Sequence, residues 1–129
     1  MTRVALPFAV LLAVVAAGCG GNTVYTSAKT KTCLQQRGAT IATPDRGDLV
    51  ATTALGGAFK AELGDNSVTV AFGTNQTNGN DIYQAYQHFA FSNVKSGILD
   101  VLRRYNNVVT LWHLHPADAD LSLVVGCLR

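Results

Sequence analysis

Phe59-Lys60-Ala61-Glu62-Leu63-Gly64-Asp65-Asn66-Ser67-Val68-Thr69-Val70-Ala71-Phe72 carries the clearest conformational signal in the chain. Phe59, Ala61 and Leu63 alternate with Lys60 and Glu62, and Val68, Val70 and Phe72 alternate with Thr69 and Ala71. Successive side chains of a strand point to opposite faces, so each run presents one apolar face. Gly64-Asp65-Asn66 between the runs has the turn chemistry of a hairpin. An antiparallel sheet with a buried face is therefore the expected centre of the fold.

Working toward the C-terminus, Gly73 to Asn80 is rich in Gly, Asn and Thr and reads as a loop. It contains Asn75-Gln76-Thr77, an N-glycosylation sequon by pattern that is expected to be unused. Asp81 is the expected N-cap of a helix whose apolar face is Ile82, Ala85, Tyr86, Phe89 and Ala90, at steps of three and four. Ser92-Asn93 and Gly97 interrupt it. Ile98 to Arg104 fits either a second helical piece or a strand entering the Tyr105-Asn106-Asn107 turn. Val108 to Leu114 is β-branched and aromatic, a strand. Pro116 fits the first turn of a terminal helix, with Asp118 and Asp120 near its positive end. Leu121, Val124, Val125 and Leu128 are expected on its inner face, with Cys127 beside them.

Working toward the N-terminus, Leu49 to Leu55 is ambiguous, and Asp45-Arg46-Gly47-Asp48 is a loop. Ala39 to Thr43 is a short strand stopped by Pro44. Tyr25 to Arg37 reads as a helix with Ser27 as N-cap, Cys33 and Leu34 facing inward and Gly38 just past its end. The order α-β-β-β-α-β-α predicts an α+β fold. About four mostly antiparallel strands would be covered on one side by helices.

The first twenty residues have a different character. Arg3 precedes the apolar run Val4 to Val15, followed by Ala16-Ala17-Gly18 and Cys19. These are the parts of a secretory signal, and the run is short for a bilayer span. Ala16-Ala17-Gly18-Cys19 resembles the lipobox of bacterial lipoproteins, with Ala16 standing where Leu is usual. The resemblance implies that Cys19 receives a diacylglyceryl group, that the chain is cut before it, and that an acyl chain such as palmitate is added to the new N-terminus. Two or more chains hold a protein stably on a membrane. Residues 1–18 would then be the signal, 19–26 a lipidated tether, and 27–129 a single globular domain.

Three cysteines are an odd count for an exported chain. With Cys19 committed to lipid, Cys33 and Cys127 remain, one near each end of the domain. They are either a disulfide linking the terminal helices or two buried thiols. A disulfide would close a loop worth roughly 4–5 kcal/mol by the chain-entropy argument. Cys33-Leu34 before Gly38, Val68 to Gly73, Asn107-Val108-Val109 with Trp112, and the closing Cys127-Leu128 together look similar to small lipoproteins and secreted proteins of GC-rich actinobacteria. Those have no assigned activity, so the likeness implies a setting and no mechanism.

Without its leader the chain keeps nine Lys/Arg against eight Asp/Glu and has no block of like charge. That argues against a nucleic-acid partner, which needs a basic face. It also argues against electrostatic recruitment to a membrane. His113 and His115, two apart at a strand end, are weak candidate metal ligands, with His88, Asp118 or Asp120 as a third. The alternative is two solvent-facing histidines beside a proline. There is no G-x-S-x-G, P-loop or dinucleotide fingerprint, and no acid pair with acid/base spacing. Trp112 is expected in the core rather than on a ligand surface, and Tyr83 is expected to be exposed. The expectation is a lipid-anchored protein on the outer face of a membrane, without cofactor or catalytic residues. It would bind an envelope protein or small ligand. The alternatives are metal binding at His113 and His115, or a small envelope enzyme.

Overall fold

The computed structural model describes residues 23–90 and 97–129. The signal segment, Cys19, the start of the tether and the Ser92-Asn93 break lie outside the described residues. The elements are α1 (Ser27–Gln36), β1 (Thr40–Ala42), α2 (Leu49–Thr52), β2 (Ala58–Leu63), β3 (Asn66–Phe72), α3 (Gln76–Phe89), α4 (Ile98–Val101), β4 (Leu102–Tyr105), β5 (Val108–Trp112) and α5 (Asp118–Cys127).

The fold is α+β. Its sheet has five strands in the order β1-β2-β3-β5-β4, antiparallel throughout, where about four were expected. The additional strand is β4. The ambiguous Ile98–Arg104 stretch divides, with α4 passing directly into β4. Leu49–Leu55 becomes the short α2, whose first turn is capped by Asp48 through Ala51 N–H at 2.9 Å.

The hairpin forms in the expected register. Leu63 pairs with Asn66 across Gly64-Asp65, and Gly64 adopts φ +60°. A left-handed position in so tight a turn suits glycine, which has no Cβ to clash. The β4–β5 hairpin turns through Asn106 and Asn107, with Asn106 at φ 53°. Asparagine tolerates that conformation better than most residues with a Cβ.

Helices cover both faces of the sheet, not one. Phe59, Ala61, Val68, Val70, Phe72, Val108 and Trp112 pack with Leu34 of α1 and Val124 and Cys127 of α5. Ala71, Val109 and Leu102, from the opposite face, pack with Ile82 and Tyr86 of α3. The reason lies in β5 and the end of β3, whose second face carries Val109, Leu111 and Ala71. Ala71 and Leu111 are small or aliphatic where a solvated face would be charged. Trp112 is buried in the first cluster.

A disulfide joins Cys33 of α1 to Cys127 of α5, with Cα atoms 5.4 Å apart and the two cysteines 94 positions apart in sequence. Of the two sequence readings, the staple between terminal helices holds. Gly38 ends α1 at φ +92° as expected, but α1 is entered through Thr26, with no side-chain cap, rather than capped by Ser27. Pro116 is buried and precedes α5, which starts at Asp118. Val125 turns outward, because the inner face of α5 is set by Val124, Cys127 and Leu128.

Candidate functional site

α3 begins six residues earlier than its apolar pattern suggested. Its N-cap is Asn75, whose Oδ1 accepts from Asn78 N–H at 2.8 Å, and not Asp81. The Gly73–Asn80 stretch looks like a loop because it lacks apolar residues. Helix continues through it because Gly79 packs against the β4–β5 turn. A Cβ there would lie 2.6 Å from Asn106 O. The first residue of the sequon is thus the helix cap, a use that competes with modification of its side chain.

The buried stripe of α3 runs through Gly79, Ile82 and Tyr86 and points next at Phe89. Phe89 was expected to be buried; it is 71% exposed. Among the described residues no layer opposes it. It instead forms one wall of a groove of about 950 Å³ between α2, α3 and α4, floored by Leu111 of β5. Leu49 and Leu55 stand on the other side, 71% and 73% exposed. These three are the most exposed large apolar side chains among the described residues, and all line this groove. Exposed apolar surface gathered in a concavity is the usual mark of a binding site, whereas single exposed leucines are not.

The groove has a polar end. Tyr86 is buried and donates its O–H to Asp48 Oδ2 at 2.9 Å. Asp48 Oδ1 meanwhile accepts from Ala51 N–H at 2.9 Å. One carboxylate therefore caps α2 and ties it to α3. Burial, first, and then the charge and the hydrogen bond of Asp48 raise the Tyr86 pKa far above the ordinary value, so the phenol stays protonated. Asn78 and Asp81 line the same end.

The residues singled out for metal binding are not drawn together. His113 and His115 are exposed beyond the end of β5, and His115 Nδ1 lies 2.7 Å from Asp100 Oδ1. His88 is on the last turn of α3, and Asp118 and Asp120 are on the first turn of α5. Among the described residues no three His, Cys, Asp or Glu side chains form a group that could hold a metal ion. Also among the described residues, no helix is long and apolar enough to cross a membrane.

Sequence reasoning missed the groove. Its signal was present in Leu49, Leu55 and Phe89, but the period of an amphipathic helix assigns Phe89 to the core. Compared with protein-family models, with curated proteins and with solved structures, the chain matches none.

Proposed function

We propose that this chain is a lipid-anchored protein on the outer face of a membrane, whose domain binds an elongated apolar ligand in the groove between α2, α3 and α4. The anchor reading rests on Arg3, the Val4–Val15 run and the Ala16-Ala17-Gly18-Cys19 box. The binding reading rests on the convergence of Leu49, Leu55 and Phe89 on one groove. A pocket of this volume lies within the range of small-molecule sites, roughly 300–1,000 Å³. Its lining offers a few polar groups at one end and hydrocarbon elsewhere, which binds and orients rather than catalyses. A disulfide between the terminal helices suits an oxidising compartment.

Two measurements test the two halves separately. Cys19→Ala should move the protein from the membrane fraction to the soluble one; retention of that variant in the membrane would remove the anchor. Nile red, a neutral apolar dye, should brighten on binding the folded chain, and Leu55→Ser with Phe89→Ser should abolish most of the enhancement. Equal brightening by the double variant would place the dye, and the binding site, elsewhere.

A further inference from the structure

We infer that the groove takes a single-chain amphiphile with a non-anionic, hydrogen-bond-donating head group. The head lies at Asp48 and Asp81, and the chain runs along α3 toward Phe89. This deepens the binding reading above and rests on it.

The direction comes from how polarity is distributed along α3. The two charged side chains lining the groove, Asp48 and Asp81, are both carboxylates. Asp81 lies in the second turn of α3. Asp48, at the start of α2, lines the same groove where the Tyr86 hydroxyl reaches it. Long side chains on a helix lean toward its N-terminus, so that hydroxyl sits about one turn before its own Cα, near Ile82. At the opposite end the described lining residues with side chains are Phe89, Ala90, Ile98 and Val101, all hydrocarbon. From Asn78 to Ala90 the helix advances roughly 18 Å at ~1.5 Å per residue. That is close to half the ~30 Å hydrocarbon thickness of a bilayer, the reach of one lipid chain.

The head group follows from charge. No Lys, Arg or His is among the described lining residues. An anionic head at the end with Asp48 and Asp81 would meet two carboxylates in a partly desolvated groove, with no cation among the described lining residues to neutralise it. A hydroxyl or ammonium head would instead donate to them. Asp48 is held by Ala51 N–H and Tyr86 O–H, one on each oxygen, so it is oriented in advance and still has lone pairs to offer. Fatty acids are therefore the wrong class, and alcohol, sugar or amine amphiphiles the right one.

The experiment titrates the secreted chain carrying Cys19→Ala with dodecyl maltoside, dodecylamine and dodecanoate, each below its micelle concentration, and follows backbone amide shifts by NMR. Leu49, Ala85 and Phe89 should shift with all binding probes. Dodecyl maltoside and dodecylamine should each bind at least about tenfold more tightly than dodecanoate, a ratio equal to ~1.4 kcal/mol. Asp48→Asn with Asp81→Asn should shrink that ratio to about threefold or less, because the amides keep acceptor oxygens but lose the charge. Asp81→Asn alone, at an exposed site, should shrink it in part even if the Asp48 change disturbs α2. Dodecanoate binding in the groove as tightly as the others would overturn the head-group assignment while leaving the groove a binding site. Failure of every probe to shift the groove residues would overturn the binding reading itself.

Discussion

Asn107 and Tyr25, 82 residues apart in sequence, exchange two hydrogen bonds through one side chain. Asn107 Oδ1 accepts from Tyr25 N–H at 2.9 Å, and Asn107 Nδ2 donates to Tyr25 O at 2.9 Å. The same Nδ2 donates to Gly73 O at 2.8 Å, while Gly73 N–H donates to Asn107 O at 2.7 Å. A fully buried amide thus fastens the entry to α1, the β3–α3 junction and the β4–β5 turn at one point. The groove stands on the last two of these, since α3 starts where Gly73 is held.

Asn107→Leu keeps the branched side-chain shape and removes every one of those side-chain bonds. Tyr25 N–H and two carbonyls would be left without partners, each at a cost of ~1–3 kcal/mol where water cannot reach. A loss of at least about 3 kcal/mol is expected in urea unfolding. A loss below about 1 kcal/mol would mean that the clasp is not made.

Thr110 makes the opposite case. Its Oγ1 is buried in the sheet core with no hydrogen-bond partner among the described residues. Thr110→Val should therefore stabilise the fold, by up to about 1 kcal/mol, or several degrees in Tm for a domain of this size. Destabilisation would show that the hydroxyl has a partner.

The Cys33–Cys127 staple closes a loop spanning most of the domain. Intact mass should rise by two hydrogens on reduction, and neither thiol should alkylate beforehand. Cys33→Ala with Cys127→Ala should cost up to ~4–5 kcal/mol. Unchanged stability would mean that the unfolded chain is not expanded enough for the constraint to matter.

Tyr86 and Tyr105 give the fold an alkaline limit. Burial raises both phenols above the ordinary 10.0, with Asp48 adding to the effect at Tyr86 and Arg103 opposing it at Tyr105. At pH well below 10.0 folded and unfolded chains both keep these protons, so the full contribution is present. Above it the unfolded chain releases protons that the folded chain retains, and stability falls as pH rises. Urea unfolding between about pH 8 and 11 should show this decline, and Tyr86→Phe should flatten it. Tyr86→Phe should also cost ~1.5–3 kcal/mol near neutrality, where a hydrogen bond to a carboxylate is lost. An unchanged alkaline slope in that variant would show that Tyr86 ionises freely.

Local patterns carried much of this into view before any coordinates. The Phe59–Phe72 hairpin, the Val108–Trp112 strand, Gly38 as the end of α1 and the burial of Trp112 all follow from period, turn residues and β-propensity, which act over a few residues. The start of α3 did not, because helix at Gln76–Asn80 depends on Gly79 meeting Asn106 and Asn107, more than 25 positions away. Nor did β4, whose Leu102-Arg103-Arg104-Tyr105 has no clear alternation and becomes a strand by pairing with β5.

By itself the sequence determined the α+β class, the central hairpin and the pairing partners available to each cysteine, since these need only local periodicity and a count. It also supplied the lipobox-like start, read entirely from contiguous residues. The tertiary structure alone decided that helices lie on both faces of the sheet, that Asp48 and Tyr86 meet, and that Leu49, Leu55 and Phe89 converge on one groove. Those relations join residues 30 to 40 positions apart. Their approach is set by how strands pair and helices stack, a matter of long-range packing that no short window of sequence contains.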